Sequence, residues 1–181
     1  MAFDPWNESF LRPELTADLM LAAQKLNILH IVLLLSVAAC VYYVTWENRQ
    51  RTLGLKRHFR SAAFAIVAAL VLLFFQVGTK QPIWPFLGAL ALGLVAGGVN
   101  GVTLKLRVDR SWQIPRPAGT HYVIWVALLL AAAAGIDIAG AWIGPEAKLW
   151  RFCATLVAMA SSGMIFGRAI AVGIRVWRLI G

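Results

Sequence analysis

The sequence predicts an all-α polytopic membrane fold of five transmembrane helices, and three observations carry that expectation. Apolar residues fill 60% of the 181 positions and mean hydropathy is +0.73, more than the polar surface of a water-soluble domain of this length allows. They fall in long runs, and a helix needs about 20 mostly apolar residues to cross the hydrocarbon core. The lysines and arginines gather between the runs, in alternate connectors. A barrel would alternate with a period of two, which these runs do not, so helix is the form that satisfies the backbone in lipid.

Residues 1–26 form an acidic tail, with Asp4, Glu8, Glu14 and Asp18 against Arg12 and Lys25, unlike the basic start of a secretory signal peptide. Pro13 suits a first helical turn, and Leu15, Leu19, Ala22 and Leu26 recur at helical spacing. They predict a short amphipathic helix that lies on the outer leaflet, extends the first span or docks on a partner. Residues 27–181 then form a single transmembrane domain. The first span, 27–46, and the second, 61–79, contain no Asp, Glu, Lys or Arg. The third, 82–104, is uncharged and rich in glycine. The fourth, 121–143, carries one acid, Asp137, and the fifth, 152–174, carries one base, Arg168.

Bases in short connectors stay on the cytoplasmic side. The connector after the first span holds Arg49, Arg51, Lys56, Arg57 and Arg60; that after the third holds Lys105, Arg107, Arg110 and Arg116; the final tail holds Arg175 and Arg178. The remaining connectors and the N-terminal tail are poor in bases. Five spans with the N-terminus outside and the C-terminus in the cytoplasm fit every segment. The basic side chains of the first two cytoplasmic connectors would then rest on an anionic inner leaflet, each contributing about 1 kcal/mol. The formal charge of +9 has this origin, and bases at membrane edges argue against a nucleic-acid partner. Trp84, Trp142 and Trp150 fall near the expected outer ends and Trp46, Trp112, Trp125 and Trp177 near the inner ones, where tryptophan favours the headgroup layer.

Gly93, Gly97 and Gly101 recur every four residues in the third span, and Gly163 and Gly167 with Ala171 repeat the pattern in the fifth. Such faces let backbones approach closely, either within the chain or across an interface with another subunit or a second copy. Among intramembrane polar residues, His30, Asn100, Asp137 and Arg168 form the candidate site, because ionisable groups at membrane depth are functional suspects. Asp137 lies about 24 Å above His121, near the outer face, where His30 shares its depth. Arg168 lies near the inner face with Asn100, placed to snorkel, to make a structural contact or to meet a lipid phosphate. Asp137 and Arg168 therefore sit at opposite ends. A His30–Asp137 contact would make a proton or substrate site; alternatively each reaches headgroups or water. Gln76 reads as a rim residue, Ser161 and Ser162 as bonding to their own helix, and Cys40 and Cys153 as separate buried thiols. No metal motif, haem-ligand pair, phosphate loop or catalytic cluster is present, so the sequence demands no cofactor and names no catalytic residue.

The glycine- and alanine-rich span, followed by LRVDR (Leu106–Arg110) and RPAGT (Arg116–Thr120) opening the next span, resembles the CcdC-like class of small bacterial membrane proteins of uncharacterised function. The resemblance covers residues 87–140; THYVIW, after Gly119, departs from the more proline- and leucine-rich continuation of that class. It implies a multi-pass protein of the bacterial inner membrane and transfers no catalytic residues. Three functions remain in play: a non-catalytic accessory or assembly subunit packing through its glycine faces, a small transporter or substrate-binding module using Asp137 and His30, and a holder of pigment, quinone or haem.

Overall fold

The computed structural model describes residues 28–49, 52–53, 55–78, 81–104, 114–115 and 121–180. The expected tail helix over residues 1–26 lies outside them, as do the side chains of Arg49, Arg51, Lys56, Arg57, Lys105, Arg107, Arg110 and Arg116; Arg60 is exposed. Five long helices follow in order: α1 (Ile28–Arg49), α2 (Leu55–Gly78), α3 (Trp84–Thr103), α4 (His121–Ile143) and α5 (Lys148–Ile180). Each contains a stretch long and apolar enough to cross a membrane. A two-residue antiparallel ladder pairs Thr52–Leu53 with Ile114–Pro115, tying the α1–α2 connector to the α3–α4 connector.

Helix α2 begins six residues before the expected second span, and α5 begins four residues before the fifth and runs on to Ile180. Hydropathy marks the part of a helix that faces hydrocarbon, whereas the hydrogen-bonded ladder continues into the headgroup layer and carries its charged residues with it. Between α4 and α5 the turn is short. Gly144 adopts φ 98°, a left-handed conformation that favours glycine, and a 3₁₀ turn over Pro145–Ala147 leads into α5.

Helices α1, α2, α5 and α4 pack as a ring, each on the next, and α4 closes it against α1. The shared core is built from small and β-branched residues with a few leucines between them. Leu33, Val37, Cys40 and Val44 come from α1, Ala62, Ala65, Ala68 and Leu72 from α2, Val126, Ala127, Leu130 and Ala134 from α4, and Ala158, Ile165 and Ala169 from α5. The α1 and α2 sets recur at three- and four-residue intervals, and the α4 and α5 sets keep to the same helical period, the signature of one buried helix face. Tyr43 stacks on Phe64, with ring centroids 5.6 Å apart, and joins α1 to α2. Helix α5 is the hub, with 61% of its span buried.

Helix α3 stands outside the ring and packs on α5, with only 22% of its span buried. Its buried residues are Phe86, Gly93, Gly97 and Gly101. Phe86 meets Phe152 edge to face at 5.1 Å. Below this contact the two backbones nearly touch. A Cβ on Gly93 would strike the Ala160 carbonyl oxygen, and one on Gly97 would lie 2.7 Å from the Met164 carbonyl carbon. In return, Gly163 and Gly167 lie against the backbone of Leu90 and Leu94. The pairing is parallel and in register, since Gly93, Gly97 and Gly101 face Ala160, Met164 and Arg168 in turn. Arg175 closes the seam by donating from Nη1 to the carbonyls of Gly101, Val102 and Leu104 at 3.1, 2.8 and 2.6 Å, which caps the α3 C-terminus with a cation.

The exposed tryptophans Trp46, Trp84, Trp125, Trp142, Trp150 and Trp177 all lie toward helix ends. Cys40 is buried, whereas Cys153 is exposed, against the expectation that both would be buried. The reason is its azimuth on α5, since Ala154 and Thr155 beside it take the buried face.

Replacing Gly97 by Ala pushes α3 off α5 and costs about 1–3 kcal/mol, the range for overpacking a close contact. The same change at Gly98, where a Cβ meets nothing within 4 Å, costs no stability and adds up to about 1 kcal/mol through helix propensity. Unfolding titrations of the two variants in mixed micelles check the difference.

Candidate functional site

The buried stripe of α4 runs Val123, Val126, Ala127, Leu130, Ala133, Ala134, and its next members are Asp137 and Gly140. Helical spacing therefore carries the carboxylate into the bundle, where Asp137 is 0% exposed. On α5 the buried stripe Ala169, Ile165, Ser162, Ala158, Thr155 leads back at the same spacing to Arg151. The short turn brings the two stripes together, and Arg151 Nε donates to Asp137 Oδ1 at 2.9 Å. Gly140, one turn beyond Asp137, makes room for this contact. A Cβ there would lie 2.6 Å from Cγ and 2.9 Å from Cδ of Arg151, in the path of its methylene stem.

A second helix ties into the same cluster. Gln76, from the last turns of α2, donates from Nε2 to Thr155 Oγ1 at 2.9 Å and to the Arg151 carbonyl at 3.3 Å. The Thr155 hydroxyl donates to that carbonyl at 2.9 Å. Gln76, expected at the rim, is instead buried, because the α2 stripe of Ala65, Ala68, Ala69 and Leu72 continues directly to it. The cluster thus joins α2, α4 and α5 at one end of the ring, with a buried carboxylate balanced by a guanidinium that is 19% exposed. Asp137 Oδ2 is buried without a hydrogen-bond partner.

His30 is at the same end but makes no hydrogen bond or ion pair with Asp137. Its ring stacks on Phe75, with centroids 4.6 Å apart, and its Nδ1 is buried without a partner. Of the two alternatives the sequence leaves open, the His30–Asp137 contact is not made, and Asp137 pairs with Arg151. Depth alone favoured the histidine, whereas azimuth and the tight α4–α5 turn deliver the arginine. Of the other histidines, His121 is exposed and the side chain of His58 lies outside the described residues.

Arg168 and Asn100 lie at the other end, so the four residues of the expected site divide into two regions. Arg168 is 2% exposed. Its guanidinium carbon is 5.2 Å from the centroid of the Tyr122 ring, a cation–π contact, and Glu47 at the end of α1 attracts it electrostatically. Its Nε and Nη2, the Tyr122 hydroxyl and Asn100 Oδ1 are all buried without hydrogen-bond partners. A buried polar group left unmatched costs about 1–3 kcal/mol, and more when charged. Ser162, as expected, donates to its own helix, to the Met159 carbonyl at 3.0 Å. Gly93, Gly97, Gly101, Gly163 and Gly167 all lie in the α3–α5 seam.

No family model, curated protein or solved structure matches the chain, so its chemistry rests on its own residues. Among the described residues no group of three His, Cys, Asp or Glu side chains is placed to hold a metal ion. The Arg151 end is a neutralised, largely self-satisfied cluster suited to locking helices. The Arg168 end is a buried cation with unmet donors, suited to an acceptor.

Removing one member of a buried ion pair strands the other. Arg151→Met and Asp137→Leu should each cost about 3 kcal/mol, and the double variant should recover most of that loss. Gly140→Val should weaken the pair by displacing the Arg151 stem. A double-mutant cycle on unfolding free energy measures the coupling, and additive losses would show that the pair does not act as a unit.

Proposed function

We propose that this chain is a multi-pass protein of a bacterial inner membrane, N-terminus outside and C-terminus cytoplasmic, acting as a non-catalytic accessory or assembly subunit of a larger membrane complex. The orientation is supported by the alternation of base-rich and base-poor connectors. The Arg168 end of the bundle is then cytoplasmic and the Arg151 end external. The bacterial setting is supported by the resemblance of residues 87–140 to the CcdC-like class.

The observation that carries the subunit reading is α3. This helix is fastened along one narrow seam, and the rest of its circumference is bare, with Leu92, Val95, Val99 and Val102 all exposed. Both glycine faces are engaged with each other inside the chain, so they are not the surface offered to a partner. In this reading the partner covers the opposite flank of α3 and the glycines hold that flank in place. The polar clusters are also those of a scaffold, since the Asp137–Arg151 pair links helices and exposes little.

One observation favours a second reading, a small binding or transport module. Asp137 Oδ2 and His30 Nδ1 are both buried and unpartnered at the external end, so a ligand or proton has two groups to meet there. Neutralisation of Asp137 by Arg151 weighs against it.

Photo-crosslinkers at Val95 and Val99 in native membranes should capture one protein in stoichiometric yield, and a crosslinker at Leu35 on α1 should not. Recovery of a lone chain carrying only lipid adducts would overturn the subunit reading. In a Cys153→Ser background, cysteines at Arg57 and Arg110 should resist a membrane-impermeant thiol reagent in intact cells, and one at Glu146 should react.

A further inference from the structure

The Arg168 side chain presents an unusual set of unmet donors. Nε and Nη2 form one edge of the guanidinium fork, and both are buried without a partner. Its neighbours along α5, Ile165, Ala169 and Val172, are apolar and buried and carry no side-chain acceptor. The Tyr122 ring covers one face of the cation and offers no acceptor to that edge, and the Tyr122 hydroxyl is itself buried and unpartnered. Glu47 lends attraction but does not hydrogen-bond to either nitrogen. Nε and Nη2 of the cation and the Tyr122 hydroxyl are thus left unmatched, and Asn100 Oδ1, an uncharged amide acceptor at the same end, is buried without a partner and reaches none of them.

We propose that Arg168 and Tyr122 form a phosphate-binding site. Two oxygens of one phosphate accept from Nε and Nη2, and the Tyr122 hydroxyl donates to the same group. A guanidinium edge matches a pair of oxygens on one oxyanion, which a point-charge ammonium does not. The depth selects phosphate among oxyanions. Tyr122 is the second residue of α4, so the site lies within one turn of the helix end, at headgroup level, where phosphodiesters are abundant. The positive end of the α4 dipole faces the same region. The phosphate belongs either to a phospholipid headgroup or to a free phosphate, and the chemistry of recognition is shared. The inference holds whether or not the chain is a subunit of a complex.

The test uses the full chain, purified in a phosphate-free maltoside detergent and depleted of lipid. Thermal unfolding and the side-chain Nε–H resonance of Arg168 are followed during titration with inorganic phosphate and, separately, with phosphatidylglycerol in mixed micelles. Saturable stabilisation with a shift of that resonance is expected. A response to both ligands assigns a free-phosphate site, and a response to the lipid alone assigns a headgroup site. Arg168→Lys, which keeps the charge and loses the fork, should weaken binding by tenfold or more. Tyr122→Phe, which keeps the ring beneath the cation and so guards against misfolding, should weaken it severalfold. No response to either ligand, or a response undiminished in both variants, overturns the proposal.

Discussion

Helices that meet in lipid gain nothing from hiding apolar surface, because hydrocarbon tails are as apolar as leucine. What remains to hold them is close contact and hydrogen bonding, and the internal organisation of this bundle follows from that constraint. The ring of α1, α2, α4 and α5 has a core rich in alanine, which lets backbones come near. The α3–α5 seam takes the same solution to its limit, with glycine on both sides and carbonyls where Cβ atoms would be. Where packing is closest, no large side chain is needed, and α3 buries a single aromatic residue, Phe86, at the top of its seam.

Polar groups supply the second kind of contact, and α5 supplies most of them. Arg151 and Thr155 reach α4 and α2 at one end, the glycine face meets α3 along the middle, and Arg168 and Arg175 engage α4 and α3 at the other end. These attachments point in different directions from one helix, so turning α5 about its axis would break all of them together. Among the described residues, α1 meets α2 through two ring stacks, His30 on Phe75 and Tyr43 on Phe64, beside its apolar packing. The many directions of its attachments make α5 the fixed reference of the fold.

Much of this was readable from residue order, and what was missed has definite causes. The five spans follow from run length, which responds directly to the thickness of the solvent. The glycine faces follow from a four-residue period, although a period cannot say whether the opposing face belongs to the same chain. The ion pair is not visible in the apolar runs because Arg151 stands just outside the fifth of them, 152–174. Extending the stripe Thr155, Ala158, Ser162 upward by one turn would have placed it on the buried face. Likewise, the stripe Val126, Leu130, Ala133 already aims Asp137 and Gly140 inward. Matching His30 to Asp137 by depth ignored azimuth, and two groups at one level on a ring of helices can still face different neighbours.

The two arginines on the inward face of α5 show why position alone does not define a site. Both lie within a few turns of a helix end, both sit on α5, and both are largely buried. Arg151 finds a carboxylate six residues from the end of the adjoining helix, through a turn too short to allow another register, and a glycine clears its path. It is a product of local connectivity, and its charge is spent inside the fold. Arg168 has no acid beside it in the sequence; Glu47 attracts it from α1, and its neighbours along α5, Ile165, Ala169 and Val172, are apolar. Leucine at position 168 would pack against those neighbours without the desolvation cost that a cation incurs there. A buried cation that carries that cost, with Nε and Nη2 unmet, is matched by an acceptor from outside the helices rather than by packing within them.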